Sequence, residues 1–332
     1  MVDDDRLAVV LAEAWGLELT RLHYVPKGFA SYHWTGVAAD GTRWFVKLDG
    51  LEHKPYLGED PTSAAAGLEA AYATAHLLAT AGLEFVVAPV PALDGRILDR
   101  IRPRWALSLF PFVAGASGRW GRRGRADARR RLIHALARLH GADSTASPLV
   151  TIRGWELPGR SALEAALAEV TAPWSGGPFS ETARRALMDK KELVREWLAA
   201  LDSLQSAVAA ARPALVITHG EPHPGNVMID GDQVRIIDWD TVALAPVERD
   251  LWMFSDDPAL LDAYAAASGC SAHPTALSCY RLIWALSDLA AFTAGFRRPH
   301  DRNRATEHSW RGFLRILDGS EPAPYGPGRA AR

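Results

Sequence analysis

The chain has 332 residues, 48% hydrophobic and 23% charged, with a formal net charge of −2. That length can bury a sizeable core in one large domain or two moderate ones. The near-zero charge excludes a general pull toward nucleic acid or an anionic membrane, and with neither a basic leader nor an uncharged run of membrane-spanning length, a cytoplasmic location is expected.

In chain order, "VDDDRLAVVLAEAWG" reads as an amphipathic helix, its Asp residues favouring the N-terminus and Gly16 ending it. Residues 19–50 hold β-rich runs around the hairpin signal Asp40-Gly41. "PTSAAAGLEAAYATAHLLATAGL" is a helix opened by Pro and Ser/Thr and closed by Gly82. Further strands are expected in "FVVAPV", "GRILD" and "WALSLFPFVAG". From about residue 114 the apolar period becomes helical, in "ADARRRLIHALARLHG", "SALEAALAEV", "ETARRALMDKKELVREWLAALDSLQSAVAAA" and most of 257–317. The run of seven Arg between Arg119 and Arg131 reads as an exposed loop entering a helix, since aromatic interleaving is lacking. Cys270 and Cys279 fit no zinc or redox spacing and read as reduced, packed thiols.

One β island interrupts the helices: "ALVITHGEPHPGNVMIDGDQVRIIDWD". Its first residues read as a buried strand. "EPHPGN" is a loop, because Pro222, Pro224 and Gly225 forbid helix. Two alternating runs about Asp230-Gly231-Asp232 then form a hairpin. Counting from Asp232, Asn226 lies six residues before and Asp238 six residues after, which places them opposite each other with Cβ atoms about 5 Å apart. Glu221 precedes that open end, so an amide oxygen and two carboxylates converge, a hard-oxygen set suited to Mg²⁺. His219 and His223 share the i, i+4 spacing of a zinc hydrolase helix, but the prolines deny them the helix. The plain alternative is a polar cluster that ties down a tight loop, with His219 and His223 as its supports.

The N-terminal hairpin, centred between Asp40 and Gly41, sets Lys47 opposite Trp34 beside the "KGFASYH" turn. A Gly-containing turn with Gly28 and Ser31 next to a strand lysine is one way to cradle phosphates. The alternative is an ordinary edge-strand lysine; the following helix offers Glu69, either as a solvated residue or as a partner for that lysine.

Lys in a third strand, Glu in the next helix, His-x-acid-x₄-Asn and an Asp after a hairpin resemble the protein-kinase-like fold. The details are most similar to the aminoglycoside phosphotransferase family, whose loop reads H-G-D-x-H-x-x-N where this chain has His219-Gly220-Glu221-Pro222-His223-Pro224-Gly225-Asn226. Within that family, "APVERDLWMF" and "WALSDLAAF" look closest to spectinomycin phosphotransferase-type members. The resemblance covers roughly residues 20–315 and is most specific around 217–252. It implies an α+β, two-lobed fold: a small β-rich N-terminal lobe over residues 1–112, a larger mostly helical lobe over 113–320, and a disordered tail over 321–332.

It also implies roles. Lys47 would orient nucleotide phosphates, held by Glu69, with Gly28 and Ser31 in the covering turn. "SLFPFVAG" would be the hinge, bonding adenine through the backbone near Phe110, Phe112 and Val113. Asn226 and Asp238 would hold Mg²⁺, Glu221 would take the acceptor hydroxyl proton, and Asp250 would brace the loop. The cofactors implied are ATP, with GTP as an alternative, and Mg²⁺. The family base is Asp, so Glu221 moves the carboxylate by about one C–C bond, and misplacement of about 1 Å can cost on the order of 10²-fold unless the loop is reshaped, as Pro222 suggests. Asp240 stands behind Glu221 as a candidate base.

The implied substrate is a small cationic aminoglycoside or aminocyclitol such as spectinomycin, with Asp256, Asp257 and Asp288 as candidate amine contacts, Asp288 alternatively in a structural salt bridge or at an exposed edge, and Trp284 and Phe292 as core. A kinase of choline or a sugar, or a nucleotide-binding pseudokinase, are the alternatives. No nucleic-acid or membrane partner is expected, and the chain would act as a monomer or homodimer.

Overall fold

The computed structural model describes residues 3–26, 31–118, 126–143 and 151–319. Gly28, the Arg-rich stretch 119–125 and the tail 321–332 lie outside them. Chain packing gives two compact units, one of Met1–Ile152, Leu215–Ala245 and Ala266–Gly269, the other of Arg153–Ala214, Pro246–Ala265 and Cys270–Arg332. The division thus differs from a single cut after residue 112, because the β island at 215–245 packs with the N-terminal unit.

The first unit begins with helix α1 (Asp4–Trp15), capped by the Asp3 carboxylate on the Arg6 N–H at 2.7 Å and ended by Gly16. Strands β1 (Leu19–Val25), β2 (Ser31–Ala38), β3 (Arg43–Gly50), β4 (Asp99–Arg102) and β5 (Trp105–Pro111) form an antiparallel sheet in the order β1-β2-β3-β5-β4. As the central strand, β3 is covered on both faces. Its Val46 and Leu48 pack with Leu7, Val10 and Leu11 of α1, while Phe45 faces the core under helix α2 (Pro61–Thr80). Strand alternation therefore puts Lys47 and Asp49 on the α2 face, both buried.

Two expectations are corrected by turn geometry. The β2–β3 connection closes with Ala38 N–H on the Thr42 carbonyl and Gly41 at φ +85°, a three-residue loop whose left-handed last position only glycine adopts cheaply. The register is consequently His33↔Lys47 and Trp34↔Val46, one residue away from a Lys47–Trp34 pairing. A third correction concerns "FVVAPV": it forms no strand. Val86 makes one isolated bridge to Ile236, and the segment runs on as irregular chain with Val90 N–H on the Leu109 carbonyl.

The same unit holds β6 (Ala116–Ser117), α3 (Ala126–His140), β7 (Val216–Thr218), the hairpin β8 (Val227–Asp230) with β9 (Gln233–Ile236), and β10 (Ala243–Ala245), which pairs with β7. The β8–β9 turn has two central residues, Gly231 at φ +55° and Asp232, so Val227 faces Ile236. Asn226 consequently lies across from Ile237, accepting its N–H at 2.9 Å, and Asp238 follows one step later instead of directly opposite. Arg131 of α3 reaches back to Asp232 at 2.7 Å.

The second unit is helical: α4 (Arg160–Ala168), α5 (Ser180–Asp189), α6 (Lys191–Ala211), α7 (Glu248–Leu251), most of α8 (Pro258–Ser268), α9 (Pro274–Arg297) and α10 (Arg304–Leu317). The continuous period of residues 181–211 is split at Lys190, whose backbone leaves the helix at φ −109° and ψ 12°. Leu187 and Val194, a whole two turns apart, stay fully buried across that break, which is why the period showed no interruption. Its core gathers Leu163, Trp197, Leu201, Leu286, Leu289, Phe296 and Phe313 around α9. Of the thiols, Cys279 is buried here but Cys270 is exposed, against the expectation that both pack. Among the described residues no helix is long and apolar enough to cross a membrane.

Candidate active site

The site is built around two buried lysines and three carboxylates of the first unit. Lys47 Nζ lies 2.6 Å from Asp238 Oδ1, 3.4 Å from Asp49 Oδ1 and 3.8 Å from Asp240 Oδ2, and donates to Tyr72 Oη at 3.0 Å. Lys54 follows the 3₁₀ turn Leu51–His53 that ends β3. Its ammonium pairs with Asp240 and, at 3.1 Å, with Asp49. Tyr56 Oη donates to Asp240 at 2.9 Å, and Asp49 also accepts Ser31 Oγ at 2.6 Å and Tyr72 Oη at 3.2 Å.

Opposing effects act on these charges, and pairing wins. Burial pushes the Lys47 pKa down, but Asp238 and Asp49 more than offset it and hold the ammonium well above its ordinary value. Burial raises Asp49, yet Lys47 and Lys54 bring it below the usual carboxylate range. Asp238 is likewise lowered, burial being outweighed by Lys47 and Lys54. Burial, with neighbouring carboxylates, raises Tyr56 and Tyr72, so both stay phenols. Counted at formal charges, the two lysines and three carboxylates give the cluster a net charge of −1. Asp238 is its outlet: its side chain is 37% exposed, against 0% for Asp49 and 6% for Asp240.

Asp238 has φ +66° and ψ +62°, a left-handed conformation that Asp tolerates better than most L-residues. The 3₁₀ turn Trp239–Thr241 starts from it, anchored by fully buried Trp239, whose Nε1 donates to the Ile236 carbonyl at 2.8 Å. Thr241 Oγ1 donates to the His219 carbonyl at 2.8 Å, tying that turn to the loop before β8.

In that loop His219 is fully buried. Its Nδ1 accepts the Glu221 N–H at 3.1 Å, so its Nε2 carries the proton and donates to the Ile237 carbonyl at 3.0 Å. Asn226 Nδ2 donates to the Glu221 carbonyl at 3.1 Å. The backbone of Glu221 is thereby held at both ends, while its half-buried side chain stays in reach of solvent. His223 Nδ1 accepts the Gly225 N–H at 3.1 Å, and burial plus the neighbouring His219 lower its pKa to about 4. Residues 219–223 form no helix, so the i, i+4 spacing of the two histidines does not set both rings on one helix face.

The structure gathers Lys47, Ser31 and Asp238 in one network and Glu221, Asn226, His219 and His223 in one loop. It does not bring Glu69 to Lys47. Glu69 is half-buried on α2 and, among the described residues, forms no ion pair with that lysine; Asp49 and Tyr72 stand there instead. Of the expected hinge, Phe110 is buried in the ladder opposite Phe45. The Phe112 N–H is taken by the Arg43 carbonyl at 3.3 Å, with the Arg43 guanidinium 3.5 Å over its ring, while Val113 has no backbone partner among the described residues. In the second unit Asp250 is fully buried, Asp256 pairs with Arg281 at 3.0 Å, Asp257 faces the Leu260 N–H at the start of α8, and Asp288 is half-buried on α9. Trp284 sits 5.4 Å from Trp252, and Phe292 packs on the α9 core.

Sequence reasoning missed Asp49, Lys54, Tyr56 and Tyr72. Asp49 had a readable signal, Lys-x-Asp inside an otherwise apolar strand, because alternation puts both charges on one buried face where each needs a partner. Lys54 had none, since its partner Asp240 is 186 residues away. The donor set suits a hard cation: Asn226 keeps its amide oxygen free of the bond its Nδ2 makes, and Asp238 is the open carboxylate. So few protein oxygens are what Mg²⁺ takes when phosphates and waters complete its shell.

Residues 33–283 match the model of the phosphotransferase enzyme family. Protein StrN of Streptomyces griseus is 29% identical over 309 residues, spanning 84% of this chain and 89% of that protein. The crystal structure of a spectinomycin phosphotransferase, APH(9)-Ia, in complex with ADP and spectinomycin superposes with a TM-score of 0.76 at 16% identity, covering 95% of this chain and 94% of that one. The amicoumacin kinase hAmiN, in complex with AMP-PNP, Ca²⁺ and Ami, gives a TM-score of 0.59 at 10% identity over 98% of this chain and 96% of that one. With the matched segment spanning most of its length, the chain belongs to the phosphotransferase enzyme family and has a protein-kinase-like fold.

Proposed function

We propose that this protein transfers the γ-phosphoryl group of ATP to a hydroxyl of a small acceptor, with an aminocyclitol or aminoglycoside of the spectinomycin type as the leading candidate. The observation that carries the reading is the Lys47 ammonium held between Asp49 and Asp238, a cationic post beside an open carboxylate. Asn226 and Asp238 would hold Mg²⁺, which supplies charge neutralisation for the phosphates when bound. Lys47 would then orient the phosphates, its ammonium kept charged by its partners. The net −1 cluster becomes +1 with a divalent cation, the sign a polyphosphate needs.

Glu221 takes the acceptor proton in this reading. Its backbone is fixed by His219 and Asn226, so the carboxylate works from a rigid base. Little covalent work is left to the protein beyond positioning and charge. The spectinomycin phosphotransferase superposition favours an aminocyclitol acceptor. A second reading, a less cationic acceptor such as a sugar, is favoured by Asp256, whose charge is already taken by Arg281.

The test is ADP release with ATP and Mg²⁺ across spectinomycin, other aminoglycosides, choline and simple sugars. Release with spectinomycin or an aminoglycoside is expected, and a Glu221→Ala variant should lose about 10²-fold or more of it while still binding ADP. Release with sugars alone moves the acceptor class to the second reading. Turnover that survives Glu221→Ala removes that residue as base, and failure to bind ADP removes the function.

A further inference from the structure

Asp49 and Lys54 are buried beside Lys47 without being open to a ligand themselves. Asp49 shares one face of β3 with Lys47, two residues along the strand. It is fully buried and held from four directions, by Ser31 Oγ, Tyr72 Oη, Lys54 and Lys47. A carboxylate so constrained cannot swing after its neighbour, so it fixes where that neighbour's ammonium sits. Lys54, 3% exposed, ties the same carboxylate to Asp240, two residues beyond Asp238. Glu69 makes no ion pair with Lys47, as described above.

We infer that Asp49 is the positioning residue that orients Lys47 toward the nucleotide phosphates, and that Lys54 locks Asp49 to the Asp238–Asp240 turn so that lysine and open carboxylate stand assembled before nucleotide arrives. The inference rests on the phosphotransfer reading above. Its physical content is a change of lever. In protein kinases a helix Glu holds the strand lysine, and movement of that helix breaks the pair. An anchor on the same strand as the lysine has no such freedom, because the pleat alone keeps the two side chains on one face.

The test compares MgADP with adenosine, since only the former has phosphates for Lys47 to meet. Binding of each is measured by calorimetry for the wild type and for Asp49→Asn, Glu69→Gln, Lys54→Met, Lys54→Arg, Lys47→Met and the Lys47→Met/Asp49→Asn double variant. Asp49→Asn should weaken MgADP by about tenfold or more, the scale of one charged hydrogen bond, and leave adenosine within about twofold. Lys54→Met should weaken MgADP severalfold, with Lys54→Arg restoring most of it. Glu69→Gln should change MgADP by less than about threefold, and the double variant should match Lys47→Met within about twofold, because Asp49 acts through that lysine.

MgADP binding unchanged in Asp49→Asn overturns the inference, as does a Glu69→Gln loss equal to the Asp49→Asn loss, or additive losses in the double variant. Weakened adenosine binding in step with MgADP would assign Asp49 a merely structural role. If Asp49→Asn shows no cooperative melt, the Lys54→Met and Lys54→Arg pair decides: equal MgADP affinity in both overturns the lock. A wild type that binds no MgADP overturns the phosphotransfer reading together with the inference, whereas wild-type binding with silent variants overturns the inference alone.

Discussion

The charged cluster around Lys47 and the polar face of α9 handle buried polarity in opposite ways. In the first, two ammoniums, three carboxylates and two phenols satisfy one another, and strand β3 supplies the base from which the network is built. Along α9, Tyr280 Oη, Arg281 Nε and Ser287 Oγ are buried with no hydrogen-bond partner among the described residues. Tyr280 packs against Trp155 with ring centres 4.6 Å apart and planes tilted by 39°, and burial raises its pKa above the ordinary phenol value. A closed network is preorganised, and charge that need not rearrange is what a fixed phosphate chemistry uses. Unengaged polar atoms among aromatic rings cost stability where they stand.

The sharpest way to break that contrast is to remove the cluster's open charge. Asp238→Asn keeps the shape and the left-handed backbone, and we expect kcat to fall by about 10³-fold, the loss of both the proposed cation ligand and the charged partner of Lys47. A fall of less than about tenfold would mean that the closed network is not where phosphoryl transfer is supported.

Next comes pH. His223 is lowered to about 4 in the folded chain from an ordinary 6.5, by burial first and His219 second. As pH drops through 6.5 the unfolded chain takes up a proton that the folded one refuses until about pH 4, so stability present above 6.5 is lost on the way down. The slope is about 1.4 kcal/mol per pH unit, on the order of 3 kcal/mol in all. Denaturant midpoints from pH 7 to 4.5 should show it in the metal-free protein, and His223→Gln should flatten it. A slope unchanged by that substitution would place the acid sensitivity elsewhere.

The smallest effect concerns α9. If Tyr280 Oη has no partner, Tyr280→Phe should shift stability by no more than about 1 kcal/mol in either direction. A larger destabilisation would reveal a bonded hydroxyl and erase the contrast.

Local signals carried most of the fold into view. The Asp3 cap, Gly16 and the Pro61 start placed the first two helices, and Asp40-Gly41 and Gly231 placed both hairpins. Each register was nonetheless read one step off. Whether a turn holds two or three central residues depends on φ values that a dipeptide does not reveal, and the step decided that Lys47 faces His33 and Asn226 faces Ile237. "FVVAPV" has strand composition, but strand identity needs a neighbour, and a single bridge to Ile236 is what it finds. Lys47, Asn226 and Asp238 can be singled out as candidates because motif spacing is a local property. The Lys54–Asp240 pair was not, because it closes a loop of 186 residues that only the folded chain brings together.

The left-handed backbone at Asp238 bears on how such a site drifts over generations. One base change turns an aspartate codon into a glutamate codon, so both acidic positions here are equally open to mutation. They are not equally open to acceptance. Glu221 is absent from the positive-φ residues, and there the exchange costs only reach, which a neighbouring loop can absorb. At Asp238, φ +66° adds a backbone penalty that a glutamate cannot relieve through the short side-chain bonds available to Asp or Asn. One position constrains its acid through reach alone; the other constrains it through the main chain as well.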